Sequence, residues 1–268
     1  MKNDLIYDIG MHDAQDAAFY MHKGYRVIAV EANPVLCERA QQTFSKEIKD
    51  GRLKILNAAI SDAEGELAFY VNLDDDHWSS LDPVWGTRNG TRFETIKVHS
   101  IRFDSLIREY GVPYYLKIDI EGGDLTVLQQ LKNSTEKPQH ISVEEHALEY
   151  FPLLWSLGYR GFKTVNQSAV PHLDYDGWKF KPGTSGPFGD EAPGQWLPFG
   201  DAILDYMLNI RDCRDRELFS TGWYDIHATL NLPRLAPDHP YPKSRKSTLR
   251  SRTRAALGRV IRRLQWPL

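Results

Sequence analysis

Hydrophobic and polar positions along the first part of the chain alternate in blocks that predict strands and helices in turn. Near-continuous apolar runs predict three buried strands, at residues 5–10, 26–31 and 53–59. Helical patterns lie between them, at residues 14–23 and 34–44. Asn33 is a favourable N-cap and Pro34 a favourable first helical residue. Alternating strands and helices of this kind are typical of a βαβαβ unit in an open parallel sheet.

A β-rich insertion follows: segments 66–72 and 95–101 are predicted to be extended, and the stretch 74–89 between them to be loop-like. After this insertion, the alternation of strands and helices continues. Four further core strands are predicted, at residues 114–121, 140–145, 161–167 and 223–230. Four further helices are predicted, at residues 103–110, 124–131, 150–157 and 201–209. The expected fold class is therefore α/β, with a doubly wound, mostly parallel seven-stranded sheet of the Rossmann-like type.

Charge is distributed unevenly along the chain and divides it into three predicted parts. The formal net charge is −3, but residues 243–268 hold nine basic side chains and no acidic one, so the remainder carries −12. We expect a folded domain over residues 1–232, a proline-rich linker over 233–247 and a basic tail over 248–268. An acidic body argues against a broad nucleic-acid-binding face.

Cysteine usage and hydropathy predict a cytoplasmic protein. Cys37 and Cys213 are the only cysteines, too few and too far apart for a disulfide framework or a metal knuckle. No apolar run approaches the roughly 20 residues that span a bilayer, and the first residues lack a secretory signal pattern. Buried free thiols in a reducing compartment are the expectation.

Polar side chains cluster where the predicted strands end, which is the edge at which open parallel sheets bind ligands. They are Asp8, Gly10 and His12, then Glu31, then Asp119 and Glu121, then Glu144, Glu145 and His146, and finally Asp225 and His227. Glu31 is placed to accept two hydrogen bonds from a ribose diol, although a strand-end acid that caps the next helix is the structural alternative.

The turn after the first strand discriminates between two cofactor classes. A dinucleotide site needs G-x-G-x-x-G to bring the helix N-terminus close to a pyrophosphate. The chain instead has Asp8-x-Gly10-x-x-x-Ala14, which makes a turn but no phosphate cradle. S-adenosylmethionine (SAM) carries no phosphate, so the pattern favours SAM over a nicotinamide cofactor.

Several motifs, taken in order, resemble those of the FkbM family of SAM-dependent methyltransferases. They are Tyr7-Asp-Ile-Gly-Met-His-Asp13, Val27-Ile-Ala-Val-Glu-Ala-Asn-Pro34, Asn57-Ala-Ala-Ile-Ser-Asp62, the Asp104-Ser-Leu segment and Tyr115-Leu-Lys-Ile-Asp-Ile-Glu-Gly122. The resemblance covers roughly residues 5–150. It implies the SAM methyltransferase fold and O-methylation of sugars or natural-product hydroxyls. The chain departs from the family pattern at His12 and Ala14, where the family usually has Asn and Gly.

These observations together define a predicted cofactor site and a predicted reaction centre. The cofactor-binding set is Asp8, Gly10, His12, Glu31, Ala32, Asn33, Ala59, Ser61, Asp119 and Glu121. O-methylation aligns a hydroxyl oxygen with the sulfonium methyl group and removes a proton. We expect Asp119 to be the polar group at the transfer site, paired with Lys117, and Glu145 and His146 to be candidate bases. A divalent ion held by these carboxylates is possible but is the less favoured reading.

The acceptor side of the site is predicted from aromatic and polar side chains outside the core motifs. The candidate acceptor residues are His77, Trp78, Ser79, Trp196, Asp225 and His227. Tryptophan faces suit the apolar C–H faces of sugars, although loop packing explains them equally well. A non-catalytic SAM-fold module and, less favoured, a nicotinamide oxidoreductase remain as alternative functions. Oligomeric state and acceptor identity are not indicated.

The C-terminal segment predicts peripheral contact with the inner face of a membrane. Leu257, Val260, Ile261 and Leu264 share one face of a helical pattern whose opposite face is rich in arginine. Packing on the acidic body, disorder and an RNA-binding arm are the alternatives.

We expect the full chain to float with anionic lipid vesicles and a 1–242 truncation to remain in the soluble fraction, because the truncation removes the basic apolar face. Vesicle flotation of the two proteins at equal concentration measures this difference. Equal behaviour of the two would remove the membrane hypothesis.

Overall fold

The structure is a computed structural model that describes residues 4–212, 218 and 223–232. The predicted linker at 233–247, the basic tail at 248–268 and Cys213 lie outside the described residues. Membrane contact through the tail therefore stays a prediction, as do the proposed domain boundaries. Cys37 is a buried free thiol.

The centre of the fold is an eight-stranded sheet with the spatial order β10-β9-β11-β8-β7-β1-β2-β3. Its strands are β1 (Leu5–Ile9), β2 (Arg26–Glu31), β3 (Leu53–Asn57), β7 (Tyr115–Ile118), β8 (His140–Glu144), β9 (Gly161–Asn166), β10 (Leu197–Pro198) and β11 (Tyr224–Thr229). The five strands from β3 to β8 pair in parallel, whereas β11 is antiparallel to both β8 and β9. The predicted mostly parallel α/β fold is confirmed, and the two-residue β10 adds an eighth strand to the seven that were expected.

Helices cover both faces of this sheet. They are α1 (Gln15–His22), α2 (Pro34–Thr43), α3 (Ser45–Lys49), α5 (Phe103–Tyr110), α6 (Asp124–Leu131), α7 (Tyr150–Ser156) and α8 (Phe199–Asn209), whereas α4 (Pro83–Gly86) belongs to the insertion. Successive strand residues enter different apolar clusters: Leu116 packs with residues of α5 to α8, and Tyr115 packs with residues of α1. Among the described residues, no helix combines the length and apolar composition needed to cross a membrane.

A second, three-stranded sheet forms the predicted β-rich insertion. It consists of β4 (Ala59–Ile60), β5 (Gly65–Asn72) and β6 (Phe93–Ile101) in the order β4-β6-β5. The expected third core strand ends earlier than residue 59, at Asn57, because Ala59 pairs with Ser100 of β6 in the second sheet. Between β5 and β6, the stretch expected to be loop-like contains α4 and two single 3-10 turns.

Candidate active site

A cavity of about 740 Å³ opens where β1, β2 and β7 end, and the loops between β5 and β6 contribute to its wall. This volume lies within the range of roughly 300–1,000 Å³ that is usual for small-molecule and cofactor sites. Of the predicted site residues, eleven line the cavity: Gly10, His12, Glu31, Ala32, Ala59, Ser61, His77, Trp78, Ser79, Asp119 and Glu121.

The turn after β1 is built by backbone conformations that few side chains tolerate. Gly10 has φ +86°, and a Cβ atom at this position would lie 1.7 Å from the Asp119 carbonyl oxygen. His12 and Ala14 also adopt positive φ, at 50° and 63°. These are the two positions at which the family usually has Asn and Gly, residues that adopt the left-handed region more readily. The turn geometry thus explains the family's use of Asn and Gly at these positions. This chain adopts the same geometry with His and Ala, for which a positive φ is less favourable.

Glu31 is held in a fixed orientation at the end of β2. Its Oε2 atom accepts a hydrogen bond from the His12 N–H at 2.9 Å, and its Oε1 atom accepts one from the Asn33 N–H at 2.7 Å. Burial raises the pKa of Glu31, and the two N–H donors act against this shift. Asn33 itself caps α2 through Val35 N–H at 3.0 Å and does not line the cavity. The preorganised carboxylate keeps lone pairs available for a diol.

The part of the cavity next to Glu31 is apolar. Val30, Leu36, Ala58, Ala59 and Ile60 line it. The Ser61 hydroxyl at its rim donates to the Ala63 carbonyl at 2.7 Å and lies 2.6 Å from the Ser100 hydroxyl. Ser61 therefore borders the cavity, but its hydroxyl is already engaged by the second sheet.

Lys117 is a buried cation behind the cavity. Its Nζ atom lies 3.4 Å from Asp8 Oδ1, 3.6 Å from Asp16 Oδ2 and 3.3 Å from Asp119 Oδ2, and it donates to the Gly10 carbonyl at 3.2 Å. Although burial disfavours an ammonium group, the surrounding carboxylates hold the pKa of Lys117 above its usual range.

Asp8 and Asp119 differ in their exposure around this cation. Asp8 is fully buried outside the cavity lining, and neither of its oxygens accepts a hydrogen bond from the described residues. Burial raises the pKa of Asp8 to about 7, against the opposing effect of Lys117. The Asp119 side chain, by contrast, is 36% exposed and lines the cavity. Asp119 is thus the member of the group that a ligand can contact, whereas Asp8 and Lys117 support it from behind.

A pair of stacked imidazoles borders the cavity on the side of the insertion. The His12 and His77 rings have centroids 4.0 Å apart, and His12 Nε2 lies 3.0 Å from Asp76 Oδ1. Burial lowers the pKa of His12, but the hydrogen bonds of Asp13 and Asp76 outweigh that effect and raise it to about 9. His12 is therefore a cation at neutral pH. The run of acidic residues that contains Asp76 is the sequence signal for a partner of the imidazole pair, but Asp76 was not predicted as a site residue.

Trp78, next to the imidazole pair, belongs to a cation–π arrangement. The Arg88 guanidinium lies 4.5 Å from the Trp78 ring centroid and 5.1 Å from that of Trp85. Arg88 also donates to both carboxylate oxygens of Glu121, at 2.6 and 3.1 Å. Arg88 lines the cavity without having been predicted, because nothing in its local sequence indicates a partner 33 residues away.

Glu145 and His146 lie at a neighbouring cavity of about 360 Å³. Glu145 accepts hydrogen bonds from the Tyr206 hydroxyl and, at 2.9 Å, from the Arg211 Nε atom. His146 Nε2 lies 3.1 Å from Glu144 Oε2, and Glu144 lines both cavities. The candidate bases are thus separated from Asp119, and Glu145 is committed to side chains around α8.

Three predicted acceptor residues do not reach either cavity. Trp196 donates to Asp190 at 2.6 Å and packs 4.3 Å from the Lys163 ammonium group. Asp225 and His227 lie on β11 and are buried, with 4% and 1% exposure. Burial lowers the pKa of His227 to about 3, so it is a neutral core side chain. Asp225 and His227 lie inside the sheet because β11 inserts between β8 and β9.

An open α/β sheet with an acid after β2, a glycine turn and no phosphate cradle defines the class of SAM-dependent methyltransferases. A sequence profile of the methyltransferase FkbM domain matches residues 8–215. The chain therefore belongs to the FkbM methyltransferase family, and its cofactor is SAM. This membership confirms the expected resemblance and separates the chain from nicotinamide oxidoreductases.

Individual relatives are distant. Hexuronic acid methyltransferase AglP of Haloferax volcanii is 25% identical over 148 residues, which are 54% of this chain and 57% of that protein. The match thus spans little more than half of the relative's length. Similar solved structures include precorrin-6Y C5,15-methyltransferase from Geobacter metallireducens, with 12% identity, coverage of 86% and 82% of the two chains and a TM-score of 0.39. Another is TrmK of M. capricolum in complex with S-adenosylhomocysteine, with 10% identity, coverage of 88% and 67%, and a TM-score of 0.40.

We expect Lys117→Met to lower the free energy of unfolding by about 3–5 kcal/mol, because it leaves Asp8 and Asp16 buried without their counter-charge. Urea denaturation at pH 7 measures the loss. Lys97→Met is the matched control, since the Lys97 side chain is 79% exposed and pairs with Glu66 at 3.4 Å. A midpoint for Lys117→Met equal to that of the control would show that the buried ion group contributes no stability.

Proposed function

We propose that the protein is a SAM-dependent O-methyltransferase that modifies a hydroxyl group of a saccharide or a small natural product. The acceptor is a polysaccharide, a lipid-linked glycan or a free hydroxyl compound. The observation that carries the proposal is that the Asp119 carboxylate lines the main cavity together with Glu31 and Trp78. The hexuronic acid named for the archaeal relative is consistent with a sugar acceptor.

The half of the cavity at Glu31 suits the nucleoside part of the cofactor. The Glu31 carboxylate faces a ribose diol in this arrangement, since both of its oxygens are fixed by backbone N–H groups at 2.7 and 2.9 Å. The apolar residues Val30, Leu36 and Ile60 suit the adenine ring, which is flat and weakly polar at its faces. When it is bound, SAM supplies an electrophilic methyl group to the reaction.

The other half of the cavity suits a polyhydroxylated acceptor. Trp78 offers an aromatic wall, and His77 offers a half-exposed imidazole next to it. Ser79 supports this wall from behind, because its hydroxyl donates to the Asp76 carbonyl at 2.9 Å and accepts the Asn72 N–H at 3.1 Å. An apolar face combined with polar edges is the arrangement that binds sugars through both stacking and hydrogen bonds.

Asp119 is the proposed proton acceptor. As the acceptor oxygen forms its bond to the methyl carbon and the carbon–sulfur bond breaks, the hydroxyl proton passes to the Asp119 carboxylate. Lys117, 3.3 Å from Asp119 Oδ2, orients this carboxylate and anchors it to the Gly10 turn. Glu145 is less suited to the role, because Tyr206 and Arg211 already occupy its carboxylate.

We expect Glu31→Gln to weaken binding of S-adenosylhomocysteine by roughly 10–100-fold. The substitution removes the negative charge and replaces one carboxylate oxygen with an NH₂ group. This group cannot accept the hydrogen bond of the backbone N–H that faces it. Isothermal titration calorimetry measures the dissociation constants, with NAD as the control ligand. Glu38→Gln, on the exposed side of α2, is the matched variant. The assignment of Glu31 is contradicted if both variants bind like the unmodified chain, provided that their thermal unfolding midpoints agree.

We expect Asp119→Asn to lower kcat for methyl transfer by about 10²–10⁴-fold, because the amide no longer accepts the hydroxyl proton. Turnover is followed as S-adenosylhomocysteine release with a panel of uronate-containing glycans, neutral glycans and small hydroxyl compounds. Asp201→Asn, at an exposed position at the start of α8, should keep full activity. Absence of turnover by the unmodified chain with every acceptor would instead favour the non-catalytic module.

A further inference from the structure

Four side chains that could bind a metal converge where β7 and β8 end, on the border between the two cavities. Glu121 follows β7, Asp124 begins α6, Glu144 ends β8, and His146 lies two residues further on. One ligand atom each from Glu121, Glu144 and His146 lies within 4.8 Å of the others. The proposed methyl transfer assigns no role to Asp124, Glu144 or His146.

Three buried atoms in this group lack a hydrogen-bond partner in the part of the chain that the structure describes. They are Asp124 Oδ2, Glu144 Oε2 and His146 Nε2. The Asp124 side chain has no exposure at all, and only its Oδ1 atom is satisfied, by the Ile120 N–H at 3.1 Å. Buried polar atoms are normally paired, so three that face one another indicate a missing partner.

The separations between these atoms also suit ligands of a single ion. His146 Nε2 lies 3.1 Å from Glu144 Oε2 and 3.8 Å from Asp124 Oδ2, yet it makes no hydrogen bond to either. Ligands about 2.1 Å from an octahedral ion lie roughly 3.0 Å apart along an edge. The observed spacing is therefore close to that of neighbouring ligands around a cation.

The local charge also favours a further cation. Arg88 is engaged by both oxygens of Glu121, at 2.6 and 3.1 Å, which neutralises that carboxylate. Among the residues that the structure describes, the fully buried Asp124 and the partly buried Glu144 then have His146 as the basic side chain within ion-pair distance. Ionised carboxylates that are buried without compensation are strongly unfavourable. A divalent ion supplies the two positive charges that the group lacks.

We propose that Glu144 and His146, with Asp124 and the Arg88-paired Glu121 beside them, form a binding site for a divalent metal ion. Carboxylate oxygens with one imidazole nitrogen are a donor set suited to Mn²⁺, which accepts both ligand types. Asp124 binds directly or through a metal-bound water, since its Oδ2 atom lies 3.8 Å from His146 Nε2.

The position of this site gives the ion a role that rests on the proposed O-methyl transfer. Glu121 and Glu144 line the larger cavity, and Glu144 and His146 line the smaller one. An ion held between them borders the space that an acceptor occupies opposite the cofactor. It is positioned to bind an acceptor oxygen as a Lewis acid and to orient the hydroxyl toward the methyl group.

A second cluster in the described residues, His12 with Asp76 and His77, is the competing location. His12 Nε2 is already paired with Asp76 at 3.0 Å, and His77 Nδ1 is paired with Asp75 at 3.1 Å. These side chains are more exposed, and their polar atoms are satisfied without an ion. This cluster therefore supplies the control for the experiment.

The test is titration of the full chain with Mn²⁺, followed by electron paramagnetic resonance without SAM or acceptor. We expect one saturable site whose electron spin-echo modulation shows a directly bound imidazole nitrogen. Glu144→Gln and His146→Gln should each weaken Mn²⁺ binding at least about tenfold, and His146→Gln should remove the nitrogen modulation. Asp76→Asn and His77→Gln should leave both unchanged.

Two outcomes overturn the proposal: no saturable binding by the unmodified chain, or loss of binding in Asp76→Asn or His77→Gln but not in Glu144→Gln. If the Glu144 and His146 variants do not fold, the Asp76→Asn and His77→Gln variants still decide between the two clusters. Unchanged Mn²⁺ binding and nitrogen modulation in both variants would exclude the cluster of His12, Asp76 and His77. Because Mn²⁺ binding is measured without turnover, failure of the proposed methyl transfer would leave this result intact.

Discussion

The ammonium group of Lys117 is the interaction on which the geometry of the active site depends. It is buried, and three carboxylates from β1, α1 and the end of β7 lie within 3.6 Å of it. A buried cation in this position is tolerated only because carboxylates pair with it. Lys117 also donates to the Gly10 carbonyl, so one side chain fixes the first turn relative to Asp119. The turn and the proposed proton acceptor are thereby positioned as a unit.

The two halves of the main cavity are built by different means. At the proposed cofactor half, backbone groups set the geometry: Gly10 packs against the Asp119 carbonyl, and two N–H groups fix Glu31. At the acceptor half, the wall consists of side chains from the loops between β5 and β6, including Trp78 and His77. Backbone N–H groups are present whatever the side chain, whereas loop side chains vary readily. The fold thus provides cofactor binding, and the insertion provides the surface on which acceptor specificity is proposed to depend.

Glu144 links the proposed transfer site to the neighbouring cavity. It lines both spaces, and its unsatisfied Oε2 atom faces His146. Arg88 contributes to the same border through Glu121 and through its contacts with Trp78 and Trp85. Charge is therefore balanced on the Arg88 side of this border and unbalanced on the Glu144 side. That asymmetry is the physical basis for placing a cation there.

The sequence by itself determined the succession of strands and helices along the chain, the glycine turn, the position of Glu31 at the end of the second strand, and the family. These features depend on local periodicity and short motifs. Tertiary structure decided which of the strand-end residues meet. Neighbouring residues of an extended segment point in opposite directions, so Glu144 reaches both cavities while Glu145 turns to Tyr206. Trp196 and His227 resembled site residues but pack elsewhere, and Arg88 joined the site through a partner 33 residues away. Such pairings depend on how the layers pack, and no local pattern encodes them.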